Sequence, residues 1–276
     1  MSGRRSHEAA HASAPTAYWD AVARATGDAP PALWRLHADQ ATQALLDRWL
    51  PEGDLGRVLK TDLYDESCTA GLVPALAARA AAVVGVDVST VVARSARAHG
   101  EVCAVAGDVR HLPFADASFD VIVSNSTLDH FAHHAEIDRG LAELERVLAP
   151  DGVLILTLDN PRHPLVRLRN ALAPSLQRIG IVPYAVGATY GPRGLRTALE
   201  DSGFALVELT AVHHFPRLVL VALERLLGGR GAAAALRLAR RGEALERWPT
   251  RYWTGQYVAA LARPAAACAA AREAAA

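Results

Sequence analysis

Five short apolar runs punctuate residues 57–160, and their continuity constrains the fold more than any other feature. They are Val58–Asp62, Ala82–Asp87 (AVVGVD), Val102–Ala106, Phe119–Ser124 (FDVIVS) and Val153–Leu158 (VLILTL). A strand with one wet face alternates apolar and polar residues, whereas a parallel strand buried on both faces reads as a near-continuous Val/Ile/Leu run. Helical patterns fill the gaps. Gly71–Ala81 places Leu72, Leu76 and Ala80 on one stripe, Ser89 is a good N-cap for a helix through His99, and Glu136–Leu148 is stopped by Pro150 and Gly152. Strand alternating with helix predicts right-handed βαβ units and an α/β, doubly wound, Rossmann-like sheet.

The rest of the chain is less regular. Residues 32–49 (ALWRLHADQATQALLDRW) space Leu33, Leu36, Ala41, Leu45 and Trp49 as an amphipathic helix ahead of the first strand. After Asp159 come arginines and prolines, a helix at Pro192–Ser202, a strand at Phe204–Thr210, helical material over 216–246 and a last strand at Thr254–Ala262. The expected division is one domain over 16–264. Residues 160–200 and 216–246 are its lid or substrate-side insertions, and 1–15 and 265–276 are disordered tails.

The 29 basic and 29 acidic residues balance, which predicts neither a nucleic-acid footprint nor a polybasic membrane patch. Cys68, Cys103 and Cys268 lack disulfide or metal-ligand spacing, and the histidines lack partners for zinc. With no apolar leader and no stretch of membrane-spanning length, the expected location is the cytoplasm.

Ligands of such a sheet bind beyond the carboxyl ends of the strands, where strand order reverses. The loops there hold Asp62, Leu63, Tyr64 and Glu66 after strand one, Asp87 and Val88 after strand two, Asp108 and Val109 after strand three, and Asn125, Ser126, Asp129 and His130 after strand four. A carboxylate at the tip of strand two suits both hydroxyls of a ribose. Asp108 suits an adenine amino group, with the Val109 backbone on the ring. Ser89 is better placed than Asp87 to cap the following helix; Asp108 reads equally well as a turn residue.

Residues 57–160 resemble the class I S-adenosylmethionine-dependent methyltransferases. The resemblance is carried by VVGVDVS, by GDVRHLPFADASFDVIVSNSTLDHF and by LAELERVLAPDGVLILTLDN. It implies a seven-stranded, mostly parallel sheet, with the late strands completing it, and S-adenosylmethionine as the cofactor beyond the strand ends. The first loop departs from the family. Where the family has an acid followed by alternating glycines, this chain has Lys60, then Asp62, Tyr64 and Glu66. Glycines there let backbone approach a pyrophosphate at a helix N-terminus. S-adenosylmethionine has no phosphate and is cationic, so an acidic loop suits it. A carboxylate ~4 Å from a cation gains about 1 kcal/mol in water-like surroundings and about 4 at an intermediate dielectric. Asp62 or Glu66 then holds the ammonium and Tyr64 packs beside the cofactor; alternatively Lys60, Asp62 and Glu66 form a local ion-pair cluster.

His130, beside Asp129, is the first candidate base, since histidine titrates near neutral pH; packing or helix capping explains it as well. His133 and His134 read as exposed helix-start residues. His214, with Arg217 close behind, is a second candidate near the substrate side. Trp34, Arg35, Arg167 and Tyr184 are candidate substrate contacts, with Arg162 and Arg169 beside them. The same arginines also read as the wet face of a lid helix, or their interleaved leucines as resting on lipid. The reading favours methyl transfer to oxygen or nitrogen of a small molecule of natural-product, lipid or sugar-like type, by an enzyme for which a homodimer is one open assembly. The alternatives are a non-methylating reaction on the same fold, such as cyclisation or decarboxylation, and a non-catalytic relative.

Overall fold

The computed structural model describes residues 15–26, 33–99, 102–178, 182, 184–227 and 231–268. The expected N-terminal tail lies outside them up to residue 14. Of the expected C-terminal tail, residues 265–268 form a helical turn and the remainder lies outside.

Seven strands form one sheet: β1 (Arg57–Thr61), β2 (Ala82–Asp87), β3 (Cys103–Ala106), β4 (Phe119–Asn125), β5 (Leu148–Asp159), β6 (Phe204–Val212) and β7 (Tyr257–Pro264). Their order is β3-β2-β1-β4-β5-β7-β6. The first five pair in parallel, and β7 runs antiparallel between β5 and β6. The carboxyl ends of β5 and β6 therefore point the same way, and strand order reverses between β1 and β4. The apolar runs are buried on both faces. Val58, Val83, Val121, Val123 and Ile155 pack into one layer, and Leu59, Ile122, Leu154, Leu156 and Leu158 into the other.

The helices are α1 (Pro15–Thr26), α2 (Leu33–Trp49), α3 (Tyr64–Cys68), α4 (Val73–Ala77), α5 (Thr90–His99), α6 (His134–Val147), α7 (Pro164–Arg178), α8 (Pro192–Asp201), α9 (Arg217–Leu227), α10 (Ala232–Gly242) and α11 (Arg251–Thr254). Three elements differ from the sequence expectation. Helix α1 lies in a stretch given no element, and it packs on α5. The helix expected over 71–81 shrinks to the short α4, and the acidic loop ahead of it coils into a further short helix, α3. Strand β5 begins at Leu148: Leu148 pairs with Phe119 and Val153 with Val121, so the Ala-Pro-Asp-Gly run between them is a bulge rather than a helix end.

The glycine-poor first loop has its glycines elsewhere. Leu63 is fully buried over Gly85 of β2, where a Cβ would stand 2.5 Å from Leu63 Cδ2 and 2.9 Å from Val102 Cγ2. Gly71, at φ +53°, leaves room for Glu66, whose Oε1 would be 2.3 Å from a Cβ there. A bulky loop is tolerated because the strand and the turn beside it are bare.

Gly85→Ala is therefore expected to cost about 1–3 kcal/mol as an overpacked site, lowering the Tm by roughly 2–10 °C. In thermal melts the Gly85→Ala/Leu63→Ala double variant should lose less than the sum of the single variants. Strict additivity would mean that the two sites do not share this contact.

Candidate active site

The tips of β1 and β2 carry two carboxylates above a buried ion pair. Lys60 ends up inside, 2.9 Å from Glu66 Oε2, with both side chains almost fully buried. Its Nζ also donates to the Asp62 carbonyl, and Glu66 Oε1 accepts from Leu72 N–H at 3.0 Å. Burial alone would pull the Lys60 pKa down; Glu66 and Asp62 outweigh it and hold the lysine above its ordinary value. Glu66 thus belongs to the local cluster. Asp62, at φ +63°, turns out of the strand and accepts from Tyr64 N–H at 2.9 Å. Burial and then the field of Asp87 push its carboxyl up to about 7. Asp87 accepts from Leu63 N–H at 2.9 Å and Ser89 N–H at 2.8 Å, one on each oxygen. Burial raises its pKa against those two bonds. Two neighbouring carboxylates that resist joint ionisation are a place where a cation is favoured.

Leu63 serves this site through its backbone, since its side chain is in the core. The Tyr64 ring lies under the Arg35 guanidinium at 5.6 Å, and Arg35 pairs with Asp65 at 3.3 Å. Arg35 therefore braces the first loop. At the tip of β3, Asp108 is gripped by Arg110 through Nε at 3.0 and 3.1 Å and through its terminal nitrogen. Burial would raise the Asp108 pKa, but the Arg110 hydrogen bonds outweigh it and the net shift is downward. Arg110 reaches Glu136 and lies 4.7 Å over Phe131. Val109 is buried, and Val88 is half-buried beside Asp87.

Beyond β4 the chain turns sharply at Ser126, φ +48°. Ser126 Oγ donates to Asp129 Oδ2 at 2.8 Å, and Asp159 N–H donates to the same oxygen at 2.7 Å. Among the described residues, the solvent-shielded Asn125 Oδ1 and Asp129 Oδ1 have no hydrogen-bond partner. Asp159, at the tip of β5, is buried and ion-paired with Arg169. Burial, and then Asp129, push its carboxyl up to about 6. Tyr257 is held above its ordinary value by burial, then by Asp159 and Tyr184.

His130 ends the short turn Leu128–His130 that follows β4. Its ring lies 4.9 Å from Trp19 and 5.6 Å from Tyr184. Nδ1 is 3.1 Å from the Ala185 carbonyl, which only accepts, so in the neutral ring the proton is on Nδ1 and Nε2 carries a lone pair. Among the described residues Nε2 has no hydrogen-bond partner. Gly187 lets 184–190 press on this loop: Gly187 N–H donates to the Asp129 carbonyl at 3.0 Å, and a Cβ would meet the Phe131 carbonyl oxygen at 2.2 Å.

Several expected residues do other work. His214 is buried with Nδ1 2.8 Å from Thr254 Oγ1 and Nε2 2.8 Å from the Ala211 carbonyl, so no ring nitrogen is left for proton transfer. Trp34 packs against His37 and His213, where His37 meets Glu243 at 3.0 Å and Glu243 accepts from the His213 and His214 N–H groups. Burial lowers His213 to about 4, keeping this histidine neutral. Arg167 is exposed on the outer face of α7, and Arg169 is the arginine that turns inward. His134 stacks on Tyr190 at 4.4 Å, and His133 N–H donates to Glu136, which caps α6.

The sequence reading missed α1. Asp20 accepts from Ser89 Oγ at 2.6 Å, Thr90 Oγ1 at 2.8 Å and Val91 N–H at 3.1 Å, which fastens α1 to the start of α5 next to Asp87. One residue earlier, Trp19 reaches His130. The signal was the Tyr-Trp-Asp run at 18–20, aromatics beside an acid in a stretch otherwise rich in alanine.

Residues 65–156 match the family described as Methyltransferase domain. A demethylmenaquinone methyltransferase of Thermus thermophilus is 28% identical over 198 residues, covering 63% of this chain and 81% of its own. A malonyl-[acyl-carrier protein] O-methyltransferase of Geobacter sulfurreducens is 39% identical over 82 residues, covering 28% of this chain and 30% of its own. The chain spans less than two thirds of the length of most curated relatives it matches, 63% for a methyltransferase-named protein of Encephalitozoon cuniculi. Among solved structures, an S-adenosylmethionine dependent methyltransferase from Mesorhizobium loti superposes with a TM-score of 0.53 at 18% identity, covering 81% of this chain and 97% of its own. The [4+2]-cyclase SpnF superposes at 0.54 and 19%, covering 95% and 96%. These last two establish the fold.

The raised Asp62 gives a signed pH expectation. A carboxyl titrating near 7 in the folded chain and near 4 unfolded binds its proton preferentially in the folded state between those values. Stability from this group therefore rises as pH falls from 7 toward 4, and the ionised form opposes folding above 7. Asn tolerates φ > 0, so Asp62→Asn is expected to raise the Tm of the ligand-free protein by a few degrees at pH 8 and by much less at pH 5. A shift of equal size at both pH values would remove the charge explanation.

Proposed function

We propose that this chain, whose residues 65–156 form a methyltransferase domain of the class I S-adenosylmethionine-dependent type, methylates an oxygen or nitrogen of a small molecule, with His130 taking up the departing proton. The observation that carries the reading is His130 itself. Its Nδ1–H is committed to the Ala185 carbonyl, and its ring is held between Trp19 and Tyr184, which leaves Nε2 as the ring's lone-pair nitrogen.

The residues fit the cofactor of this fold. Each Asp87 oxygen spends one lone pair on a backbone N–H and keeps capacity for the two ribose hydroxyls. The Asp62–Asp87 pair favours a cation, and the orphaned acceptor Asn125 Oδ1 at the tip of β4 suits an ammonium donor. Val88 and the Val109 backbone flank the adenine position, Asp108 offers its remaining acceptor capacity, and Tyr64 and Ser126 close the sides. When bound, S-adenosylmethionine supplies a methyl group on a positively charged sulfur that leaves as a neutral thioether. The chain positions the acceptor, keeps water out and removes a proton. Trp19 and Tyr184 hold the His130 ring in place, and Asp159 with Arg169 provides a charged wall on the acceptor side. The relatives named for demethylmenaquinone and malonyl-[acyl-carrier protein] set the range of acceptors worth testing.

By calorimetry, Asp87→Asn should weaken S-adenosylmethionine binding about 10–100-fold, the loss of charge-assisted hydrogen bonds. His130→Asn should leave that affinity within about twofold and lower methyl transfer by roughly 10²–10⁴-fold, flattening the acid limb of the pH profile. Product gaining one methyl with S-adenosylhomocysteine release supports the reading. Product formed without cofactor turnover, or unchanged turnover in His130→Asn, would replace it with the bystander-cofactor chemistry or another base.

A further inference from the structure

The exposed apolar side chains are not scattered. Apart from Leu36 and Val207, every large apolar residue standing out of the described surface belongs to two insertions, one after β5 and one after β6. Both leave the sheet at the same end, the carboxyl end where the candidate site lies. On α7 the stripe Leu165, Leu168, Leu172 faces outward at the helical spacing of a buried face, while Val166, Arg169 and Ala173 face in. On α9 Leu226 is 80% exposed, and after α10 Trp248 and Trp253 are 58% and 61% exposed.

Charge is segregated in the same way. Residues 160–178 hold four arginines and no acid, and 215–254 hold eight arginines and three glutamates, in a chain that is neutral as a whole. The outward arginines, such as Arg167, Arg178, Arg225, Arg240 and Arg247, form no ion pair with an acid among the described residues. The expectation of no basic membrane patch rested on the balance of charge over the whole chain, which this local excess does not alter.

We propose that these two insertions form a peripheral docking surface for an anionic lipid bilayer, and that the acceptor enters the site from that bilayer. Leucine and tryptophan side chains rimmed by unpaired arginines are the composition of a segment lying in the membrane interface: the apolar tips enter the acyl boundary and the guanidinium groups meet lipid phosphates. A second copy of the chain is disfavoured, because a two-fold contact would set this basic surface against itself. The helix that presents the leucines outward also carries Arg169 inward to Asp159, so the docking element and the acceptor wall are one helix. Among the described residues no helix is long and apolar enough to cross a membrane, so the contact is with one face of the bilayer.

The docking claim stands without the methyl-transfer reading; the acceptor claim rests on it. The full chain is sedimented with liposomes of phosphatidylcholine alone and with phosphatidylglycerol added. Binding is expected to the anionic vesicles only and to fall with salt. Arg167→Glu should weaken it more than the roughly fivefold expected for losing one charge at the surface, and Leu168→Gln or Trp253→Ser by about tenfold. Val207→Gln, on β6 and as exposed as Leu168, should bind like the parent. Calorimetric S-adenosylmethionine affinity of each variant should match the parent, which excludes misfolding and keeps this test separate from the catalytic one. No vesicle binding, equal binding by Leu168→Gln and Val207→Gln, or a concentration-dependent dimer in sedimentation that Leu168→Gln dissolves would overturn the proposal. Binding to an acidic carrier protein with no binding to anionic vesicles would overturn it in favour of a protein partner.

Discussion

The buried contact between Lys60 and Glu66 sets the shape of everything at the switch point between β1 and β4. An ion pair taken out of water is weak evidence for stability, because desolvating both charges costs about what their attraction returns. Its consequence here is geometric. Lys60 sits in the strand, Glu66 six residues later in α3, and the lysine also holds the Asp62 carbonyl while Glu66 holds Leu72 N–H. Four segments are thereby tied to one internal charge. Removing either partner leaves the other buried and alone, which costs several kcal/mol, so the loop conformation and the pair stand or fall together. With the loop held from beneath, its upper surface can carry Asp62 and Tyr64 in place of bare glycine backbone.

That upper surface begins a row of acids along the strand tips: Asp62 and Asp87, then Asp129 and Asp159. Two of the four titrate well above the carboxylate range, Asp62 and Asp159, each for burial first and a neighbouring acid second. The two clusters differ in what answers them. Arg169 already pairs with Asp159, whereas Asp62 and Asp87 face each other with Lys60 turned away beneath. A free cation is therefore favoured at the β1–β2 end, and a neutral or locally compensated group at the β4–β5 end. On the proposed reading His130 is the proton-accepting group for transfer from a cationic donor to a neutral acceptor.

The sheet was legible because strands buried on both faces leave a continuous apolar record, and the record survives any loop chemistry. The positions of Asp87 and His130 beyond the strand ends were legible for a related reason, since they follow from where the strands stop. Side-chain direction on a helix was not. Arg167 and Arg169 are two residues apart and so point to nearly opposite sides of α7. Arg167 was the expected substrate contact, and the structure instead turns Arg169 inward and leaves Arg167 and the Leu165–Leu168–Leu172 stripe outside. His214 was misread because its two bonds, to Thr254 and Ala211, come from distant and adjacent chain alike and leave no trace in local sequence. Helix α1 escaped because Asp20 earns its place through Ser89, Thr90 and Val91, some seventy residues away.

The two covers of the site are built differently, and the difference bears on the route by which each ligand enters. Helix α1 closes the cofactor side through Asp20, whose carboxylate accepts three hydrogen bonds from the start of α5, and through Ala23, which packs on the core. Hydrogen bonds to a carboxylate contribute about 1.5–3 kcal/mol each net, so release of this 12-residue helix is a local opening held mainly by Asp20. The acceptor side is closed by the 184–190 segment, pressed on the His130 loop by backbone bonds through Gly187 and Ala188, and by α7 through the Arg169–Asp159 pair. Opening that side breaks a buried ion pair and strands a charge. On the proposed reading a cofactor would exchange under α1 and an acceptor would pass α7, so the two ligands, both replaced at every turnover, would use separate doors closed by different chemistry.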